Sequence, residues 1–97
     1  MATPSRYLVE LATPASGWQD LQQVTSLART GAEEMCREGA AIRFLRSIFV
    51  PEDQSCFFLY EGDSIETVRE AGRRAQLHIV RIGETLHAEL HAGGSEG

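Results

Sequence analysis

The stretch Ile42-Arg43-Phe44-Leu45-Arg46-Ser47-Ile48-Phe49-Val50, the polar break Pro51-Glu52-Asp53-Gln54-Ser55 and the run Cys56-Phe57-Phe58-Leu59-Tyr60-Glu61 decide the fold. Both outer runs are rich in β-branched and aromatic residues, which pack well on a pleated surface. A break of about five residues between two such runs is a hairpin loop. The centre of the chain is therefore an antiparallel strand pair, and the flanking segments tell what it joins.

Upstream, Arg6 to Leu11 places Tyr7, Val9 and Leu11 on one side and Leu8 and Glu10 on the other, a strand pattern ended by Thr13-Pro14-Ala15-Ser16-Gly17. From about Trp18 to Glu38 the period becomes helical: Leu21, Val24, Ala28, Gly31 and Met35 recur at steps of three and four, widened by Leu27 and Ala32. Ser16 or Gly17 would cap this helix, and Gly39 follows it where a residue tolerant of positive φ is wanted. Gly31 on the apolar stripe suggests close approach to a strand. Downstream, Asp63 and Glu66 have capping-box spacing, and Ile65, Val68, Gly72 and Ala75 give a second, shorter helix. His78 to about Ile82 reads as the fourth strand. The order is strand–helix–strand–strand–helix–strand, the split βαβ arrangement. Right-handed crossovers then place both helices on one face of a four-stranded antiparallel sheet. This is the α+β, ferredoxin-like βαββαβ fold, expected over residues 6–86, with a flexible N-terminus at 1–5 and a polar, Gly-rich tail at 87–97.

Composition bounds the function. Ninety-seven residues form one domain. Nine arginines and no lysine face fourteen acids, a net charge of −5. An acidic chain without a basic stripe is a poor partner for nucleic acid or an anionic membrane. No apolar run approaches the roughly 20 residues of a membrane helix, and Met1 to Ser5 lack a signal-peptide layout, so a soluble, cytoplasmic protein is expected. Cys36 and Cys56 are too few for a disulfide framework or an iron–sulfur cluster. No glycine pattern cradles a nucleotide phosphate, and no haem is expected.

If the second face of the sheet met water, each strand would alternate cleanly. Instead Ile42, Phe44 and Ile48 share one parity and Leu45 and Phe49 the other, while Cys56, Phe58 and Tyr60 alternate with Phe57 and Leu59. Apolar side chains on both faces point to a second copy packed sheet to sheet, a homodimeric α/β barrel. Charges also sit within the strands. Glu10, Arg43, Arg46 and Glu61 read as ion pairs across neighbouring strands. The sharper reading is a cavity between sheet and helices lined by Glu10, Arg46, Ser47, Tyr60 and Glu61, with His78 as an acid–base candidate.

The segments Tyr7-Leu8-Val9-Glu10, Ile42-Arg43-Phe44-Leu45-Arg46-Ser47 and Leu59-Tyr60-Glu61, followed by Ile65 to Ala75, resemble a small bacterial ferredoxin-like domain family of unknown function that includes a nickel-binding protein. Ile48 stands where that family carries an aromatic, and Phe58 where it carries a cysteine. The resemblance implies the ferredoxin-like fold and nickel as a candidate ligand. Nickel favours imidazole, with carboxylates as helpers. Val9-Glu10-Leu11 offers no histidine, which leaves His78, His87 and His91. His87 and His91 stand at i and i+4, with Ala88 where a zinc protease has its glutamate, and are weak metal candidates. Cys36 and Cys56 read as small buried hydrophobes.

The functional expectation is a small homodimeric binding protein that holds a small apolar molecule or a nickel-type metal in the barrel cavity. The alternative is a cofactor-free monooxygenase, isomerase or cyclase of the dimeric α/β barrel type. There a His or carboxylate would take a proton from a small aromatic or polyketide-like substrate, and Tyr60 or Arg46 would steady the oxyanion.

Overall fold

A computed structural model describes residues 4–14 and 17–85. Its elements are β1 (Ser5–Leu11), α1 (Leu21–Arg37), β2 (Ile42–Val50), a short 3-10 turn (Pro51–Asp53), β3 (Ser55–Gly62), α2 (Ile65–Arg74) and β4 (Ile79–Thr85). The strands form one antiparallel sheet in the order β2-β3-β1-β4, with β1 and β3 central and β2 and β4 at the edges. This is the ferredoxin-like arrangement expected from the sequence. Ser5 belongs to β1 rather than to a flexible N-terminus, and the expected tail at 87–97 lies outside the described residues.

One face of the sheet meets both helices. Tyr7, Val9 and Leu11 of β1, Ile42 and Phe44 of β2, and Cys56, Phe58 and Tyr60 of β3 form a buried cluster with Ala28, Ala32 and Met35 of α1 and Val68, Ala71 and Ala75 of the α2 segment. Small residues dominate the helix side, so the helices lie close to the strands and the large strand aromatics fill the space between. Phe44 meets Phe58 and Tyr60 edge-on, at centroid distances of 5.2 and 5.4 Å, in the arrangement the ring quadrupoles favour.

Several local expectations are corrected. Gly31 approaches the other helix, not a strand: a Cβ there would lie 3.5 Å from the Ala71 carbonyl oxygen and 3.6 Å from Arg74 Cβ. Leu27, assigned to the apolar stripe, is 46% exposed, because the buried stripe narrows to Ala28, Gly31, Ala32 and Met35. The residue preceding α1 is Asp20, and its side chain makes no capping bond. The α2 cap is Ser64 rather than Asp63. Ser64 Oγ accepts from the Thr67 backbone N–H at 3.2 Å, while Asp63 accepts from Thr67 Oγ1 at 2.7 Å. Gly39, at φ +100°, follows the last turn of α1 as expected.

The largest correction concerns β2. Its pairing with β3 shifts between Phe44 and Arg46, so Leu45 is a bulge with no partner opposite. A bulge spends one residue without advancing the register, and the parity of everything after it changes. Ser47 and Phe49 therefore lie opposite the helix-facing Phe58 and Cys56, whereas Arg46 and Ile48 lie opposite the outward Leu59 and Phe57. Ile48 thus leaves the Ile42–Phe44 side for the open face, and Phe49 takes the helix side, edge-on to Trp18 at 6.3 Å.

Candidate functional site

The register separates the residues that sequence reasoning grouped into one cavity. Tyr60 is fully buried on the helix side, with no partner for its hydroxyl among the described residues. Burial pushes that hydroxyl well above the ordinary phenol range. Ser47, half-buried, lies on the same side opposite Phe58. Glu10, Arg46 and Glu61 alternate out of phase with these and occupy the opposite, open face. A cavity lined by all five is therefore excluded by the pleat: neighbouring strand residues point to opposite faces.

On the open face the charges pair across strands. Glu61 meets Arg43 at 3.2 Å and Arg6 at 3.8 Å, and Glu10 meets Arg81 at 2.8 Å. The two carboxylates do not share a site. Glu61 stands opposite Arg6, four residues along β1 from Glu10, which at about 3.4 Å per residue is roughly 14 Å. Between the paired ends runs an apolar row of Leu8, Leu59, Phe57 and Ile48, the last 36% exposed. Arg46 sits beside this row with no ion pair among the described residues.

His78 is exposed at the far end, after α2. Its carbonyl accepts from the Ala12 N–H at 2.8 Å, and its side chain borders a shallow hollow with Leu11, Trp18 and Leu77. His87 and His91 lie outside the described residues. Among the described residues no three His, Cys, Asp or Glu side chains come together to hold a metal ion, and Glu10 and Glu61 are already engaged by arginine. These residues do not fit nickel.

A larger concavity lies elsewhere among the described residues. A groove of about 560 Å³ runs between α1 and the free edge of β2, bordered by Arg29, Glu33 and Arg37 on the helix and by Ile42, Arg43, Phe44 and Leu45 on the strand, with Ala32 and Cys36 between them. Its position follows from topology: β2 is an edge strand, and among the described residues no fifth strand closes this side. The Leu45 bulge brings an extra apolar side chain to the edge. Arg29 lies over the Phe44 ring, 5.1 Å from guanidinium carbon to centroid, a cation–π contact that holds it at the rim. Cys36, expected to be buried, is exposed, and its Sγ donates to the Ile42 carbonyl at 2.7 Å. A second hollow, bordered by Pro4, Ala41 and Glu61, continues the groove past Cys36, Ile42 and Arg43. The sequence carried only an indirect signal for this site, the unusual run of small and charged residues on the α1 flank nearest β2.

Comparison with known proteins agrees with the fold. Neither a protein-family profile nor a curated protein matches the chain. Among solved structures the chain is similar to SCO4226 from Streptomyces coelicolor A3(2), at 20% identity and a TM-score of 0.61, over 84% of this chain and 95% of that one. At this identity the likeness defines the architecture and leaves chemistry open.

Proposed function

We propose that this chain is a small binding module that holds a small, partly apolar molecule in the α1–β2 groove and works as a homodimer paired through its open sheet face. The observation that carries the reading is the groove itself. Its volume, about 560 Å³, falls in the range of roughly 300–1,000 Å³ typical of small-molecule sites. Its lining has the expected character, Ala32, Ile42, Phe44 and Leu45 with a few polar groups around them. Binding is favoured over catalysis because the carboxylates that would share a proton stand far apart on the sheet. The Tyr60 hydroxyl, raised by burial, is also poorly matched to proton transfer near neutral pH. A metal as occupant is disfavoured by the lack of a ligand set among the described residues.

The dimer rests on the open face. The Leu8–Leu59–Phe57–Ile48 row is apolar, and the pairs beside it, Glu61 with Arg43 and Glu10 with Arg81, lower the cost of covering their charges. Native mass spectrometry of freshly purified protein tests both parts. A dimer with a co-purified mass is expected. Cys36→Phe, which fills the groove from an exposed position, should lose the added mass and keep the dimer. Leu59→Lys should give a folded monomer. A wild-type monomer, or an added mass that survives Cys36→Phe, overturns the corresponding half.

A further inference from the structure

The rim of the groove is cationic although the chain as a whole is acidic. Arg29, Arg37 and Arg43 border it against one carboxylate, Glu33, while the chain carries a net charge of −5. Arg29, Glu33 and Arg37 are spaced by four on one flank of α1, yet neither arginine lies within ion-pair distance of Glu33 or of any other described carboxylate. Arg6, Arg43, Arg73, Arg74 and Arg81 have carboxylate partners, and Arg46 and Arg69 have none among the described residues; of the four unpaired arginines, Arg29 and Arg37 are the two that border the groove. Arg29 is instead held over the Phe44 ring. Among the described residues, two guanidinium groups are thus without a carboxylate partner beside an apolar floor. A guanidinium is a fixed fork of donors matched to a carboxylate, and its weak hydration lowers the cost of bringing it against an apolar surface.

We propose that the molecule held in the groove is an amphipathic carboxylate, its anionic group met by Arg29 and Arg37 and its apolar body laid along Phe44, Leu45 and Ile42. This rests on the reading of the groove as a binding site and adds the ligand's charge. Glu33, between the two arginines, weakens the pull on an anion and sets an upper limit to its affinity.

A matched pair of probes separates the two claims. Amide chemical shifts of the full chain are followed by NMR during titration with 4-phenylbutyrate and, separately, with 4-phenylbutan-1-ol, which has the same skeleton without the charge. The expected result is that both probes move Ala32, Cys36, Phe44 and Leu45, with the carboxylate binding about tenfold more tightly. The double variant Arg29→Gln/Arg37→Gln should erase that difference and leave alcohol binding unchanged, and Glu33→Gln should tighten carboxylate binding. All three substitutions lie on an exposed helix flank and should leave the fold intact, which the spectrum of the core amides verifies. Equal affinity for the two probes, or a carboxylate preference that survives the double variant, overturns the charge inference while the groove reading stands. If neither probe moves the groove residues at about 10 mM, an occupancy even millimolar affinity would reach, both fall together.

Discussion

At the scale of single residues, a glycine within α1 and one just past its end make opposite demands. Gly31 is helical and its missing Cβ would meet only ordinary van der Waals contacts with α2. Gly39 has φ +100° and open space around it. Conformation alone decides the outcome at each. Gly31→Ala is expected to stabilise the protein by about 0.5–1 kcal/mol, from helix propensity and a less flexible unfolded chain. Gly39→Ala is expected to destabilise it by about 1–2 kcal/mol, the cost of a side chain in left-handed backbone. Thermal unfolding checks both, since about 1 kcal/mol moves the midpoint of a domain this size by roughly 4–8 °C. The two cysteines divide as clearly. Cys36 is exposed, whereas Cys56 is fully buried and its thiol is pushed up to about 11 by burial. A disulfide reagent at pH 8 should label one thiol in the native protein and two after unfolding, and Cys36→Ser should leave the native protein unlabelled. The same burial gives a pH dependence with a definite sign. The raised value favours the neutral thiol in the folded state, so this contribution is complete below the ordinary value of 9.0 and is lost as pH rises toward 11.

At the scale of elements, the two helices are joined across their exposed rims by Arg74 of α2, which bonds both oxygens of Glu38, just past α1, at 2.8 and 2.7 Å and Glu70 at 3.2 Å. The Arg74 hydrogen bonds hold the Glu38 carboxyl below its ordinary range, and Arg73 with Arg74 does the same for Glu70. Folded values lie below unfolded ones here. The stabilisation is therefore present above the ordinary value of 4.5 and is lost as pH falls through the folded values. Arg74→Gln should lower the urea midpoint slightly at neutral pH and flatten its dependence on pH between about 5 and 3 by the same small amount, so that variant and parent converge at low pH. The elements themselves were legible in the sequence because each rests on its own period: the three- and four-residue steps from Leu21 to Met35, the alternation from Tyr7 to Leu11, the hairpin break at Pro51. The site was not legible, because it depends on register between strands. The Leu45 bulge exists only in relation to its β3 partners and moves Ile48, Phe49, Arg46 and Ser47 to faces that counting along β2 alone assigns differently. Gly31 fails in the same way: a sequence shows that a close approach is needed but not which element makes it.

At the scale of the whole molecule, charge is segregated by face. Among the described strand residues, Arg6, Arg43, Arg46 and Arg81 share the open face with two carboxylates, Glu10 and Glu61, while the chain as a whole is at −5. Two copies meeting through this face bring together surfaces of the same sign, on molecules of the same net sign, so long-range electrostatics oppose a pairing that apolar burial favours. Salt screens the former, with a Debye length near 10 Å at 0.1 M. The proposed dimer should therefore tighten as NaCl rises from about 50 to 500 mM, measured by sedimentation; weakening with salt would mean that ion pairs between the copies hold it. The corner where β2 turns into β3 has a consequence of another kind. The chain's single tryptophan, Trp18, donates its indole N–H to the Gln54 carbonyl at 3.0 Å, where Thr13 Oγ1 also donates at 3.1 Å, and it meets Phe49 edge-on. The loop entering α1 is thereby tied to the tip of a hairpin some 36 residues further along the chain, at the opposite end of β2 from Ile42 and Cys36. The protein thus carries its own optical reporter: its intrinsic fluorescence follows the closure of the hairpin corner and stays silent to events in the groove.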